Sequence, residues 1–223
     1  MTYVFHFNIV FDKFPELLEG AWLTVRLAAL ALALGLAVAV ICAYLRTAGP
    51  RPLRALVIGY VEAIRNTPFL VQLYLVFFAL PATGLRLEAN EAALVAMVVN
   101  FGAYATEIVR AGVQSVPVGQ IEVGLALGLK RFQIYRLIVL FPALKAVFPA
   151  LSSQFVLLLL GSSVVSAISA KELTAIANTL QSTTFRAFEV YIVVAAMYLA
   201  IAVAFRGCFA SIYWFFFVRG RER

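Results

Sequence analysis

The residues of this 223-residue sequence that could carry covalent or metal chemistry are few and isolated. His6 is the single histidine, so a serine–histidine triad or a histidine-based metal site is excluded. Cys42 and Cys208 are too few for a zinc site or a disulfide framework. The sequence has no Gly-Lys pair for a Walker A loop, and no HExxH or GxSxG motif. We therefore predict a chain that is no enzyme and binds no cofactor of its own.

Polar side chains inside otherwise apolar stretches are the remaining candidates. Glu62 and Arg65 are spaced i, i+3, so they can pair on one helix face. Pro68 removes a backbone hydrogen bond and is expected to kink its helix. If that helix begins near Leu53, Arg65 lies about 18 Å along it. Alternatively, Leu53 to Val61 lies flat at a surface and Arg65 is interfacial.

Such side chains have two possible roles in an apolar environment. They line a path for a polar solute, or they join helices by hydrogen bonds of about 0.6 kcal/mol each on average. For any single residue we favour the structural role, but we expect the set to include a path, since a broken helix often lies beside one. The pathway or gating candidates are Glu62, Arg65, Asn66, Thr67, Pro68, Gln72, Asn100, Tyr104, Gln154, Ser162 and Ser163.

The composition identifies the environment of these residues. The chain is 64% hydrophobic and only 13% charged, with a mean hydropathy of +0.97. A soluble domain carries about a quarter charged residues and could not hide this much apolar surface. A soluble enzyme and a disordered chain are both excluded. The net charge of +7 fits the positive-inside bias of membrane proteins, so we expect no nucleic-acid partner.

The apolar residues fall into five stretches. A bilayer core needs about 20 apolar residues per helix, and these runs are too continuous for alternating barrel strands. We predict an all-α membrane protein with about five transmembrane helices in a single domain, residues 1–223. The predicted spans are about 18–45, 55–80, 90–109, 138–160 and 188–217, of which the third is the shortest.

Most of the basic residues lie in segments on one predicted side of the membrane. Four basic residues lie on the other side, together with most of the acidic ones. By the positive-inside rule the basic side is cytoplasmic, which places the N-terminus outside and the C-terminus inside. The eleven residues of the basic side are Arg46, Arg51, Arg54, Arg110, Lys130, Arg131, Arg136, Lys145, Arg219, Arg221 and Arg223.

A long segment, residues 116–136, separates the third and fourth predicted spans on the basic side. Glu122 to Leu127 can form a short helix, which Gly128 would end. The helix is apolar on one side, which suits docking into a groove of a partner or resting on the membrane surface. On the other side of the membrane, residues 162–186 contain a second short helix around Lys171 to Leu173.

Several stretches in colinear order resemble the permeases of ABC importers, in particular the polar amino-acid uptake group of the histidine and glutamine permease type. Residues 62–73, EAIRNTPFLVQL, are similar to that group's E-x-x-R-G-T-P-L-L-V-Q-L. Residues 103–120, AYATEIVRAGVQSVPVGQ, and residues 185–191, FRAFEVY, also fit. Glu122, Gly128 and the apolar run with Pro142 are similar to the EAA loop. The resemblance runs from about residue 20 to residue 191.

The resemblance implies a type I ABC importer permease-like fold in the bacterial inner membrane. The chain would form the translocation pathway for an amino acid with a second permease subunit, identical or homologous. Two cytoplasmic ATPase subunits would supply ATP and Mg²⁺ binding, an extracytoplasmic binding protein would deliver the substrate, and lipid would surround the spans. The alternative is an ion-coupled secondary transporter or channel.

By the same resemblance, Glu122 seats the short helix on the ATPase, unless it only caps the helix's first turn. Two departures from the family pattern stand out. The family's E-A-A is Glu122-Val123-Gly124 here, and a lysine near the end of the fourth span is Leu160, so the class of amino acid is not carried over. The residues assigned to ATPase coupling are Gln120, Glu122, Gly124, Ala126, Gly128, Lys130 and Arg131.

Overall fold

The computed structural model describes residues 3–219, and every regular element in that range is helical. Arg221 and Arg223 of the predicted basic side lie outside this range. The helices in chain order are α1 (Asn8–Asp12), α2 (Phe14–Ala48), α3 (Arg51–Arg65), α4 (Phe69–Tyr74), α5 (Ala89–Gln114), α6 (Val118–Ala126), α7 (Arg131–Ile134), α8 (Leu140–Gly161), α9 (Leu173–Thr184) and α10 (Ala187–Tyr213).

Short π-helical and 3-10 turns extend several of these helices. Within residues 3–219, four continuous helical segments are long and apolar enough to cross a membrane, namely Phe14–Ala48, Ala89–Gln114, Arg131–Ile168 and Ala187–Val218. A fifth crossing results if Arg51–Arg65 and Phe69–Thr83 together form one span. The predicted all-α architecture with about five spans is confirmed, and the orientation of the termini stays a prediction.

The second predicted span, 55–80, consists of two helices that meet where Pro68 predicts a kink. Its two halves meet at 112°, a far sharper break than a kink. Pro68 has no N–H to donate, and the residue before a proline is driven out of the α region. The break therefore falls at Asn66 to Pro68, between α3 and α4.

The fourth span begins earlier than residue 138. A π-helical turn, Tyr135–Val139, joins α7 to α8, so the helical run starts at Arg131. The predicted segment 116–136 is consequently α6 followed by the beginning of the fourth span. The remaining span boundaries extend the predicted ones at one or both ends.

Small residues allow the long helices to pack closely. A Cβ at Gly35 of α2 would come within 2.8 Å of Phe101 of α5, and one at Gly102 within 3.0 Å of Val38. Contacts of Gly35 with α5 and of Arg46 with Glu107 show that α2 and α5 run parallel.

The contacts of α8 give the direction of the remaining long helices. Gly112 of α5 packs on Val147 of α8, and Phe155 of α8 packs on Phe205 of α10. Phe141, near the start of α8, meets Phe217, which follows α10. The ends of α2, α5 and α10 and the start of α8 therefore lie together, and we call this the basic end of the bundle.

The opposite end is closed by α9, which follows the fourth span. Glu172 accepts hydrogen bonds from the backbone N–H groups of Thr174 and Ala175, so it is the N-cap of α9. The predicted short helix around Lys171 to Leu173 is thus the beginning of a 12-residue helix. The α9 helix packs against α2 and α10.

Candidate translocation path and coupling surface

The helix break borders a cavity of about 280 Å³ between α4, α5 and α8. Four of the predicted pathway residues line it, namely Thr67, Asn100, Tyr104 and Gln154. Its wall alternates amide and hydroxyl groups with apolar surface, which is the lining expected of a small polar-ligand site.

Side-chain donors bond to three backbone carbonyls at the break, and two of these, those of Ala63 and Ile64, lack a helical N–H partner. The Asn66 amide donates to the Glu62 carbonyl oxygen at 2.8 Å, and the Thr67 hydroxyl donates to that of Ala63 at 2.7 Å. Gln72 donates to the Ile64 carbonyl oxygen at 2.8 Å. An unpaired carbonyl in an apolar environment is costly, so these caps make the break stable inside a membrane.

Gln72 also connects the break to the cavity. It is buried, and its amide nitrogen donates to the Thr67 carbonyl and hydroxyl oxygens, both at 3.0 Å. Its amide oxygen accepts a hydrogen bond of 2.9 Å from Asn100 of α5. Gln72 therefore links α4 to the break and to α5, although it does not itself line the cavity.

The predicted Glu62–Arg65 ion pair does not form. Glu62 accepts a hydrogen bond from the Asn66 amide at 3.0 Å. The Arg65 guanidinium instead lies over the Tyr104 ring, 5.6 Å from its centroid. The two side chains diverge because Arg65 faces α5, where the cation gains a favourable contact with the aromatic ring of Tyr104.

Ser162 and Ser163 lie away from the cavity lining. Their hydroxyl groups donate to the carbonyl oxygens of Leu159 and Leu160, at 2.6 and 2.9 Å. Sequence reasoning missed four lining residues because they are apolar or lack a side chain. They are Phe69, Leu157, Leu158 and Gly161.

The predicted coupling residues lie on and around α6 at the basic end. The short helix forms as predicted but begins at Val118, so Glu122 lies in its middle and not in its first turn. A capping role for Glu122 is therefore wrong. Its side chain is exposed, as are those of Gln120, Ala126, Lys130 and Arg131.

Large apolar side chains surround these polar groups on the surface. Val123, Leu125 and Leu127 are 54–73% exposed, and Phe132 is 74% exposed. An apolar patch with a polar margin, formed on a short helix, has the character of a protein-interaction surface.

Glycines hold α6 in place. Gly128 ends the helix with a φ of +73°, a conformation that favours glycine. Its N–H donates to the Leu125 carbonyl oxygen and that of Leu129 to Gly124, the two bonds of a Schellman motif. Gly124 is buried against Ile134 and Ile138, so it supports the surface from beneath and is not part of it.

The sequence of this chain matches a known family over most of its length. The family is described as the inner membrane component of binding-protein-dependent transport systems, and it matches residues 23–215. The chain belongs to this family. The permease is accordingly a protein of the inner membrane, and its family implies ATPase and substrate-binding partners.

Named relatives of the permease include amino-acid transport proteins. It is 35% identical to the glutamine transport system permease protein GlnP of Escherichia coli (strain K12), over 89% of this chain and 92% of that protein. It is 36% identical to the probable glutamine ABC transporter permease protein GlnM of Bacillus subtilis (strain 168), over 88% and 91%. The nopaline transport system permease protein NocM of Agrobacterium fabrum (strain C58 / ATCC 33970) is 36% identical, over 87% and 85%.

Solved structures share the fold of the permease. A chain of an amino acid ABC transporter crystallised with histidines superposes with a TM-score of 0.88 at 32% identity, over 95% of this chain and 99% of that chain. A chain of the MetNI methionine ABC transporter in an inward-facing conformation gives 0.72, over 91% and 96%. At 22% identity the second match shows the fold alone.

Proposed function

We propose that this chain is the transmembrane subunit of an ATP-driven ABC importer for polar amino acids. The relatives named for glutamine and nopaline transport support the substrate class. One observation carries the mechanism: the same chain presents a built docking surface on α6 and a polar cavity beside a broken helix.

The α6 surface is the contact for a cytoplasmic ATPase subunit. Its exposed leucines and valine supply apolar area, and Glu122 supplies a charge that selects the partner. Two ATPase subunits, one for each permease of a pair, bind ATP and Mg²⁺ and move α6. Because the basic end is cytoplasmic by charge, the N-terminus lies outside and the C-terminus inside.

The cavity beside the break contributes to the translocation path. Asn100, Tyr104 and Gln154 present hydrogen-bonding groups that match an amide or a zwitterionic amino acid. The break residues 66–68 are exposed in the single chain, so we place the path between two permease subunits. The binding protein delivers the amino acid to the opposite end, where α9 lies.

The decisive experiment reconstitutes the chain with its ATPase subunit and its binding protein in liposomes. We expect amino-acid uptake with ATP inside the vesicles and no ion gradient, and no ATPase activity from the chain alone. Uptake driven by an ion gradient without ATP would instead support the secondary transporter.

Charge reversal at Glu122 tests the docking surface. We expect Glu122→Arg to reduce ATPase co-purification and coupled uptake at least tenfold, while the permease still inserts. Glu19→Arg is the matched control for ATPase co-purification, because Glu19 is exposed at the opposite end and cannot reach the ATPase. Normal ATPase association of Glu122→Arg would contradict the docking role.

A further inference from the structure

Three arginines from three different helices meet at the basic end, away from the translocation cavity. Arg46 lies near the end of α2, Arg54 in the first turn of α3 and Arg110 near the end of α5. They enclose a cavity of about 310 Å³. The cavity is lined by Arg46, Thr47, Arg54, Ile58, Arg110 and Gln114.

This arginine cavity carries a surplus of positive charge. Glu107 is the carboxylate that pairs with it, and it contacts both Arg46 and Arg110, the latter at 2.8 Å. Arg54 has no carboxylate within 4 Å in the part of the chain that the structure describes. Three guanidinium groups against one carboxylate leave two positive charges in a polar pocket.

The chain builds the cavity through a tight reversal between α2 and α3. The Gly49 N–H donates to the Leu45 carbonyl oxygen at 3.0 Å, and a Cβ at Gly49 would overlap that same oxygen. Glycine thus lets α3 start directly after α2, which brings Arg54 to the same wall as Arg46 and Thr47.

The outward face of α3 indicates where the cavity opens. Leu53 and Leu56 are 42% and 69% exposed, and they flank the basic residues Arg51 and Arg54. A helix with exposed leucines beside arginines is typical of an element that lies in the membrane interface. A cavity beside such an element is accessible to the lipid phosphates of the leaflet at the basic end.

We propose that the arginine cavity binds a phosphate group, supplied by an anionic phospholipid or by free phosphate. Guanidinium groups hold phosphate oxygens through paired hydrogen bonds. Basic pockets between transmembrane helices bind phospholipid head groups in the same way. The site differs from the translocation path and the α6 surface, since it shares no residue with either.

Occupation of this site has a structural consequence. The bound phosphate joins α2, α3 and α5, and α3 leads directly to the break at residues 66–68. Arg65 at the end of α3 already rests on Tyr104 of the translocation cavity. The anion therefore stabilises the position of α3 relative to α5, and it raises the thermal stability of the chain.

The test measures binding to the purified full-length chain in detergent. Native mass spectrometry counts retained phosphatidylglycerol or phosphatidylcholine, and thermal unfolding is followed with each lipid and with inorganic phosphate. We expect preferential retention of phosphatidylglycerol and a higher Tm. Arg54→Gln should weaken that binding about tenfold, because it removes one charge-assisted contact.

Arg51→Gln is the matched control. It removes the same charge from the same helix, but Arg51 does not line the cavity. We expect the control to bind like the wild type and Arg54→Lys, which keeps the charge without the planar fork, to be intermediate. Size-exclusion elution checks that all variants fold.

Each outcome of these measurements supports or contradicts a phosphate site in the arginine cavity. Stabilisation by inorganic phosphate alone, sensitive to Arg54→Gln, supports the site with free phosphate as its source. If neither phosphatidylglycerol nor phosphate binds, or if Arg51→Gln weakens binding as much as Arg54→Gln, the cavity is not a phosphate site.

Discussion

Single side chains at the break and at α6 show how polar groups are made compatible with an apolar protein. Thr67 and Gln72 each use a side-chain donor to replace a helical N–H that the break removes, and the Asn66 side chain adds a second donor to the Glu62 carbonyl oxygen. Gly128 supplies a backbone conformation that other residues adopt only with strain. Each of these effects depends on one side chain or one backbone conformation, so a single substitution should change the stability of the chain by removing one known interaction.

Replacing Gly128 tests the end of α6. Nothing lies within 4 Å of a Cβ added there, so Gly128→Ala changes only the backbone strain of the positive φ. We expect a cost of about 1 kcal/mol and a roughly fivefold faster hydrogen exchange of the α6 amides. Gly119→Ala, also open but within the helix, should leave exchange unchanged or slower. Equal exchange in both variants would contradict the role of Gly128.

Replacing Gln72 tests the link between the break and α5. Gln72→Leu keeps the volume but leaves the Ile64 carbonyl and the Asn100 amide without their partner. We expect a loss of about 1–3 kcal/mol, seen as a Tm lower by about 2–4 °C per kcal/mol. Asn66→Ala removes an exposed cap and should cost less. A larger loss in Asn66→Ala than in Gln72→Leu would be inconsistent with this account.

The helices are of two kinds, long ones that pack along their length and shorter ones bounded by proline or glycine, and the sequence pattern alone does not distinguish them. The helices α2, α5, α8 and α10 pack along their length through small residues and aromatic rings. By contrast, α3, α4 and α6 are short, and their directions are set by proline and glycine at their ends. The pathway and coupling candidates concentrate on or beside the short helices. Motion during transport is therefore expected in these short helices, with the long ones as the frame.

At the scale of the whole molecule, one buried residue joins helices at the end of the bundle opposite the basic end. Glu172 is fully buried and accepts a 2.6 Å hydrogen bond from Tyr198 of α10. The N–H of the next residue, Leu173, donates to the Thr24 hydroxyl of α2. Helices distant in sequence are thus joined at the N-terminus of α9.

This junction makes stability depend on pH. Burial raises the pKa of Glu172 above its ordinary value, although its hydrogen bonds oppose that shift. The folded chain therefore holds this proton more tightly than the unfolded chain. As the pH rises above about 4.3, the ordinary pKa of a glutamate, the free energy of unfolding should fall until Glu172 ionises in the folded chain as well.

Thermal unfolding of the wild type and Glu172→Gln between pH 4 and pH 7 measures the effect. The glutamine variant cannot titrate at this position, so the difference in Tm, wild type minus variant, should decrease with rising pH. An increase in that difference would show that the hydrogen bonds outweigh the burial of the charge.

The sequence by itself determined the membrane environment, the helical class, the family and the approximate number of spans. The environment, the helical class and the number of spans follow from composition and from runs of apolar residues, which depend only on neighbours along the chain. The family follows from its resemblance to colinear sequence motifs. It also predicted α6 and its end at Gly128, because a helix terminus is a local feature. Pro68 marked the break, although its angle was not predicted.

Only the tertiary structure decided which polar residues meet. Thr67, Asn100, Tyr104 and Gln154 share a cavity because three helices cross there, whereas Ser162 and Ser163 bond to their own helix. For the same reason Arg65 contacts Tyr104 and not Glu62. Arg46, Arg54 and Arg110 converge although the first and the last are 64 positions apart in the sequence. Contacts of this kind depend on helix crossing and rotation, which spacing along one helix does not specify.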